Sequence, residues 1–141
     1  MDAIATSASP RIHIAGWLRL SAEPGSVTAA RRRVISALAC WGMPEDLMEV
    51  AGLLVTELAA NAVLHGQAGA GELAVRVQRY GCCLAVEVRD SSRGVPVVRH
   101  AAEDAESGRG MQLVASLANS WGYYFSGGRK HVWFHLRLAG G

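Results

Sequence analysis

Between Leu73 and Val88 the chain alternates apolar and more polar residues in two runs with a break at Gly81. In the first run Leu73, Val75 and Val77 alternate with Ala74, Arg76 and Gln78. In the second, Leu84, Val86 and Val88 alternate with Ala85, Glu87 and Arg89. Successive side chains of a strand point to opposite faces, so each run has one apolar face and one more polar face. Two such runs around a glycine predict a β-hairpin. A sheet built on this hairpin needs cover on one side only, so the remaining apolar residues belong on helices packed against that side.

Two helices fit that requirement. Glu23-Pro24-Gly25 breaks a first strand that carries Ile12, Ile14, Trp17, Leu18 and Leu20. Ser26 then reads as the cap of a helix over residues 27–41, with Val27, Ala30, Val34, Leu38 and Trp41 at helical spacing and Gly42 ending it. The arginines at 31, 32 and 33 read as a solvated face. Pro44 opens a second helix, with Glu45, Asp46 and Glu49 in or near its first turn, where acidic groups oppose the positive end of the dipole. Leu47, Val50, Ala51, Leu54, Leu58 and Ala62 form its apolar stripe, and Gly66 closes it.

Residues 91–107 show no core pattern, and a loop of that length inside one domain points to function. Gly108-Arg109-Gly110 then opens a helix running to about Ala118, followed by strands over residues 120–125 and 130–138 joined at Gly127-Gly128. The expected fold is α+β: a two-layer α/β sandwich whose mixed, mostly antiparallel sheet has helices on one face. Residues 1–10 are expected to form a flexible tail and 11–141 one domain.

Half of the residues are apolar and 18% are charged, which supports a core and excludes a disordered chain. A net charge of +2 gives no reason to expect direct nucleic-acid or membrane binding. The three cysteines, Cys40, Cys82 and Cys83, lack metal or disulfide spacing, so reduced thiols in a cytoplasmic protein are expected. No apolar run reads as a membrane span, and the N-terminus has no signal-peptide pattern. His13, His100, His131 and His135 show no metal spacing; a polar strand face accounts for the last two. Trp121 and Trp133 read as core or partial core.

Three places can carry chemistry. Glu57, Asn61 and His65 recur every four residues and share one face of the second helix. A carboxylate at the edge of a core can act as a base, and an amide oxygen can ligate Mg²⁺. A solvated helix edge explains the spacing equally well. Asp90 ends a strand, where a carboxylate can accept a hydrogen bond from an amino group or simply favour a turn. Gly108-Arg109-Gly110 precedes a helix, whose first N–H groups suit phosphate and whose glycines permit close approach. Neither G-x-G-x-x-G nor the lysine-containing phosphate loop occurs in the chain.

The order of these segments carries a resemblance. Thr56-Glu57-Leu58-Ala59-Ala60-Asn61-Ala62-Val63-Leu64-His65-Gly66 resembles the N box of the GHKL, or histidine-kinase-like, ATPases with the Bergerat fold. Val88-Arg89-Asp90 through Gly94-Val95-Pro96 is similar to their first glycine box, and Glu106-Ser107-Gly108-Arg109-Gly110-Met111-Gln112-Leu113-Val114 to their second. Within that superfamily the pattern looks like the bacterial anti-sigma-factor serine-protein kinases. The resemblance implies ATP and Mg²⁺ as cofactors, with Asn61 as metal ligand and Glu57 as the base that activates a serine hydroxyl. It implies that Asp90 holds the adenine amino group. Gly94, Gly108, Arg109 and Gly110 would also contact the nucleotide, and residues 97–107 would form a short lid. The implied partners are a sigma factor, held inactive, and an anti-anti-sigma protein that receives the phosphoryl group; a homodimer is expected. Ser92 stands where the wider superfamily has glycine, which points to looser nucleotide binding. Lys130 has no assigned role. A non-catalytic or weakly ATP-binding regulator is the alternative, and a detached histidine-kinase catalytic domain is a third reading.

Overall fold

In the computed structural model, which describes residues 12–65, 71–92, 96 and 109–138, the predicted hairpin forms the middle of a five-stranded sheet. In chain order the elements are β1 (Ile12–Ser21), α1 (Pro24–Cys40), α2 (Glu45–His65), β2 (Glu72–Tyr80), β3 (Cys83–Asp90), α3 (Arg109–Leu117), β4 (Ser120–Ser126) and β5 (Arg129–Arg137). The strands lie in the order β1-β2-β3-β5-β4, and every neighbouring pair is antiparallel. The architecture is therefore the expected α+β arrangement, with a sheet that is wholly antiparallel. The tail over 1–10, Gly66, the lid over 97–107, His100, Gly94 and Gly108 lie outside the described residues.

Period-two patterning sets the layers. Leu73, Val75, Val77, Leu84, Val86, Val88, Val132, Phe134 and Leu136 are buried on the face that receives the helices. Ala30, Val34 and Leu38 of α1 and Ala51, Leu54, Val55, Leu58 and Ala59 of α2 close the core from the other side. Full burial of a side chain such as Phe134 or Leu54 stabilises by roughly 1.5–3 kcal/mol. The two hairpin turns follow the glycines. Gly81 has φ +60°, and Gly127 and Gly128 have φ +60° and +75°. Positive φ at both central residues, as at Gly127-Gly128, or at the first, as at Gly81, gives the two-residue turns whose twist matches the strands they join.

Three expectations change. Helix α1 begins at Pro24, and Glu23, not Ser26, occupies the cap position. Proline lacks the N–H that would be unsatisfied there, so it suits the first turn. Ser26 instead lies inside that turn, buried, with its hydroxyl donating to the Ser21 carbonyl. Second, α2 is long and apolar enough to cross a membrane by length and composition. Its residues Leu54, Val55, Leu58 and Ala59 are buried against the sheet and α1, and that packing accounts for its apolarity. Third, the uneven alternation in β1 is a bulge. Gly16 and Trp17 together oppose Arg76, between the pairs Ala15↔Val77 and Leu18↔Val75. The extra residue turns Trp17 onto the face away from the helices.

Candidate functional site

Helix α2 carries Glu57, Asn61 and His65 along one edge, as four-residue spacing requires. Glu57 and Asn61 are half-buried, whereas His65 is exposed at the helix end. Helix α3 meets this edge at its first turn. A Cβ placed on Gly110 would lie 2.9 Å from Glu57 Oε1, 3.4 Å from Glu57 Cβ and 3.6 Å from Asn61 Nδ2. The Gly110 backbone therefore rests directly on both polar side chains, and any larger residue would displace Glu57. The first N–H groups of a helix have no partner within it. Those of α3 sit beside an amide and a carboxylate, a cradle that could hold a phosphate with its metal.

Asp90 closes β3 on the same face as Val86 and Val88, 3% exposed. Its Oδ1 accepts the Ser92 N–H at 2.6 Å, which fixes the carboxylate. Asp90 pairs in register with Leu73, so it lies at the end of the sheet where α2 delivers the chain into β2. A carboxylate has room for further donors beyond one N–H, and the adenine amino group is such a donor. Ser92 is also 3% exposed, and its Oγ is buried without a hydrogen-bond partner among the described residues. Such an orphan calls for a polar partner. These residue types are ones a nucleotide could use: a buried acid at Asp90 toward a base amino group, and an amide beside a helix start toward Mg²⁺ and phosphate.

The structure brings Glu57, Asn61 and Gly110 together and leaves His65 at the exposed helix end. Arg109 begins α3. Lys130, left without a role by the sequence, is 6% exposed and stands opposite Asp90 in the β3–β5 register. Its position on the face of Val132 and Phe134 follows from the period of two, a signal available in the sequence.

Sequence reasoning missed a second polar cluster, on the face away from the helices. Glu87 is 9% exposed and accepts hydrogen bonds from Arg76 Nη2 at 2.8 Å and the Tyr124 hydroxyl at 2.5 Å. His131 Nδ1 lies 2.6 Å from its Oε2. Burial pushes the Glu87 carboxyl up, but bonds to Tyr124, Arg76 and His131 outweigh it and hold the group below the ordinary range. Burial, then the bond to Glu87 and its charge, push Tyr124 up to about 12. The Arg76↔Glu87 cross-strand pair was the available signal.

A family model for the histidine kinase-like ATPase domain matches residues 20–136, and the chain belongs to that family. Comparison with curated protein sequences matched nothing. Among solved structures, the RsbU and RsbW domains of Rv1364c from Mycobacterium tuberculosis superpose with a TM-score of 0.62 at 17% identity, over 88% of this chain. That likeness is one of fold. The histidine kinase domain of the blue-light activated histidine kinase EL346 from Erythrobacter litoralis superposes with a TM-score of 0.50 at 27% identity, over 65% of this chain. The matched regions span 33% and 45% of those two chains. The family implies that the domain binds ATP.

Proposed function

We propose that the chain is a Mg·ATP-dependent regulator of the anti-sigma type, which phosphorylates a serine of an anti-anti-sigma protein and sequesters a sigma factor. The observation that carries this reading is the seating of Gly110 on Glu57 and Asn61. It joins the second glycine box to the N box, and both resemble those of the anti-sigma-factor serine kinases. Likeness to the RsbW domain supports the same reading at the level of fold.

Bound Mg·ATP would supply the phosphoryl group, and its metal would neutralise the charge that spreads over the phosphoryl oxygens in transfer. Asn61 would offer its amide oxygen to the metal, and Asp90 would accept the adenine amino hydrogen. Gly94, Gly108 and Arg109 belong to the same proposed contact set, and the backbone of α3 would face the phosphates. Glu57 would take the proton of the attacking serine hydroxyl, a step that general-base catalysis accelerates by about 10²–10⁴-fold. A homodimer in the cytoplasm belongs to this reading.

Two measurements test it. Calorimetry should show Mg·ATP binding that Asn61→Ala weakens by at least about tenfold, the lower end of what loss of even an outer partner of a metal site costs. Incubation with [γ-³²P]ATP and a candidate anti-anti-sigma protein should give acid-stable label on serine that Glu57→Ala abolishes. Equal labelling by Glu57→Ala would remove Glu57 from the role of base, and acid-labile label on histidine would assign the chain to histidine-kinase chemistry. Ser92 favours a second reading. A buried serine at the superfamily's glycine position departs from the nucleotide-binding pattern and favours a regulator that binds its partners with little use of ATP. In that case sigma-factor binding survives Asn61→Ala unchanged.

A further inference from the structure

The sheet face away from the helices carries more fixed cations than anions. Arg19, Ala74, Arg89 and His131 form one cross-strand row, and Arg76, Glu87 and Trp133 the next. Trp17, placed on this face by the β1 bulge, lies against two guanidiniums. The Cζ atoms of Arg76 and Arg89 are each 4.5 Å from its ring centroid. Stacking of this kind holds the planar fork of an arginine ready for a carboxylate.

The anions on the face do not exhaust these donors. Glu87 is already engaged by Arg76, Tyr124 and His131. Glu72 pairs with Arg129 Nη1 at 2.8 Å and reaches Arg89 Nη2 only at 3.6 Å. Arg89 Nε and Nη2 and Arg76 Nε have no hydrogen-bond partner among the described residues but are closed to solvent, so the cations that an incoming group can reach are Arg19 and Arg129. Burial and the neighbouring charges of Arg129, Arg19 and Arg76 work against the Arg89 cation, with Glu72 opposing them. Around this cluster Ile14, Tyr80 and Tyr124 are exposed, and a cavity of about 340 Å³ opens among Tyr80, Ala85, Tyr124 and Trp133. Trp, Tyr and Arg are the residues that dominate binding energy at protein interfaces.

We infer that this sheet face docks an acidic segment of a partner protein, its carboxylates received by Arg19 and Arg129 beside Trp17 and an apolar side chain entering the Tyr80–Tyr124–Trp133 cavity. A second copy of the chain laid on this face would bring its own arginines to a surface already in cationic excess, and like charges across an interface are costly. The face lies on the opposite side of the sheet from Asp90 and α2, so the docking stands apart from the nucleotide reading.

The test titrates the full chain with a synthetic peptide of alternating glutamate and leucine, and with its lysine-for-glutamate counterpart. Binding is followed by the NMR signals of arginine Nε–H and tryptophan indole groups. The glutamate peptide is expected to shift the Arg89 and Trp17 signals, and to bind more weakly as salt screens the charges. Arg19→Glu combined with Arg129→Glu, at positions open to solvent, should weaken binding by about tenfold or more with the thermal midpoint retained. Should the double variant lose its fold, Arg19→Ala alone must still weaken binding. Equal binding of the lysine peptide, or unmoved Arg89 and Trp17 signals, overturns the proposal. So does a wild-type dimer in sedimentation that the double substitution turns into a monomer, because the face then belongs to a second copy.

Discussion

Glu87 illustrates how one buried carboxylate can be held ionised by its neighbours. Burial alone disfavours its charge, yet three donors converge on it, and its folded-state affinity for protons falls below that of an exposed glutamate. A carboxylate depressed in this way contributes stability above the unfolded glutamate range and loses it as pH falls through the lower folded value. Glu87→Gln is therefore expected to cost about 2 kcal/mol near neutrality, the size of a hydrogen bond to a charged group, because Arg76 also loses its counter-charge. Urea titrations at several pH values should show the gap between wild type and variant closing below the ordinary glutamate range. A gap that does not change with pH would mean that shape, not charge, matters at this position. Tyr124 moves the other way. Its folded value of about 12 against 10.0 means stability present below the unfolded value and lost as pH rises between the two. Alkaline difference absorbance should find a late tyrosine ionisation, and Tyr124→Phe should delete that late step.

Helix α3 has nine residues, fewer than an isolated helix needs to persist in water, so its position depends on what it packs against. Met111 and Val114 are buried in the core, and Gly110 rests on Glu57. In a helix, Gly→Ala is ordinarily favourable by up to about 1 kcal/mol. Here the new methyl would meet the flexible tip of Glu57, which can move without shifting either helix. Gly110→Ala is thus expected to leave the urea midpoint within about 1 kcal/mol of wild type while lowering serine phosphotransfer by about tenfold or more through misplacement of the base. Full phosphotransfer by this variant would show that the observed position of Glu57 is not needed. The sequence reveals such elements unequally. Period-two alternation marked β2, β3 and β5 because each has one dry face, and the four-residue spacing of Glu57 and Asn61 marked one edge of α2. The β1 bulge broke its own alternation at Gly16 and Trp17, and Pro24 displaced the cap expected at Ser26. The contact of Gly110 with Glu57 left no local trace, since it depends on how two helices pack across the core. The Glu87 cluster likewise needs the β3–β5 and β4–β5 registers that bring His131 and Tyr124 to it.

At the scale of the molecule, the sheet separates the two proposed sites, and α2 ties one of them to stability. Leu54, Val55, Leu58 and Ala59 anchor that helix in the core while Glu57 and Asn61 line the cradle on the same element. Unfolding anywhere in the core therefore destroys the cradle, so a ligand held there stabilises the whole fold by mass action. At about a hundredfold excess over Kd the gain is about 2.7 kcal/mol. For a chain of 141 residues this corresponds to a rise in Tm of about 5–10 °C. Differential scanning calorimetry should show that rise with Mg·ATP and a smaller one with ATP and chelator. Asn61→Ala should reduce the metal-dependent part, because the amide oxygen is the proposed ligand. The Arg19→Glu, Arg129→Glu pair should leave the rise intact, since those residues lie across the sheet from the cradle. Loss of the rise in that pair, with the unliganded Tm unchanged, would show that the two faces are coupled through the strands, and that occupancy of the outer face adjusts the grip on nucleotide.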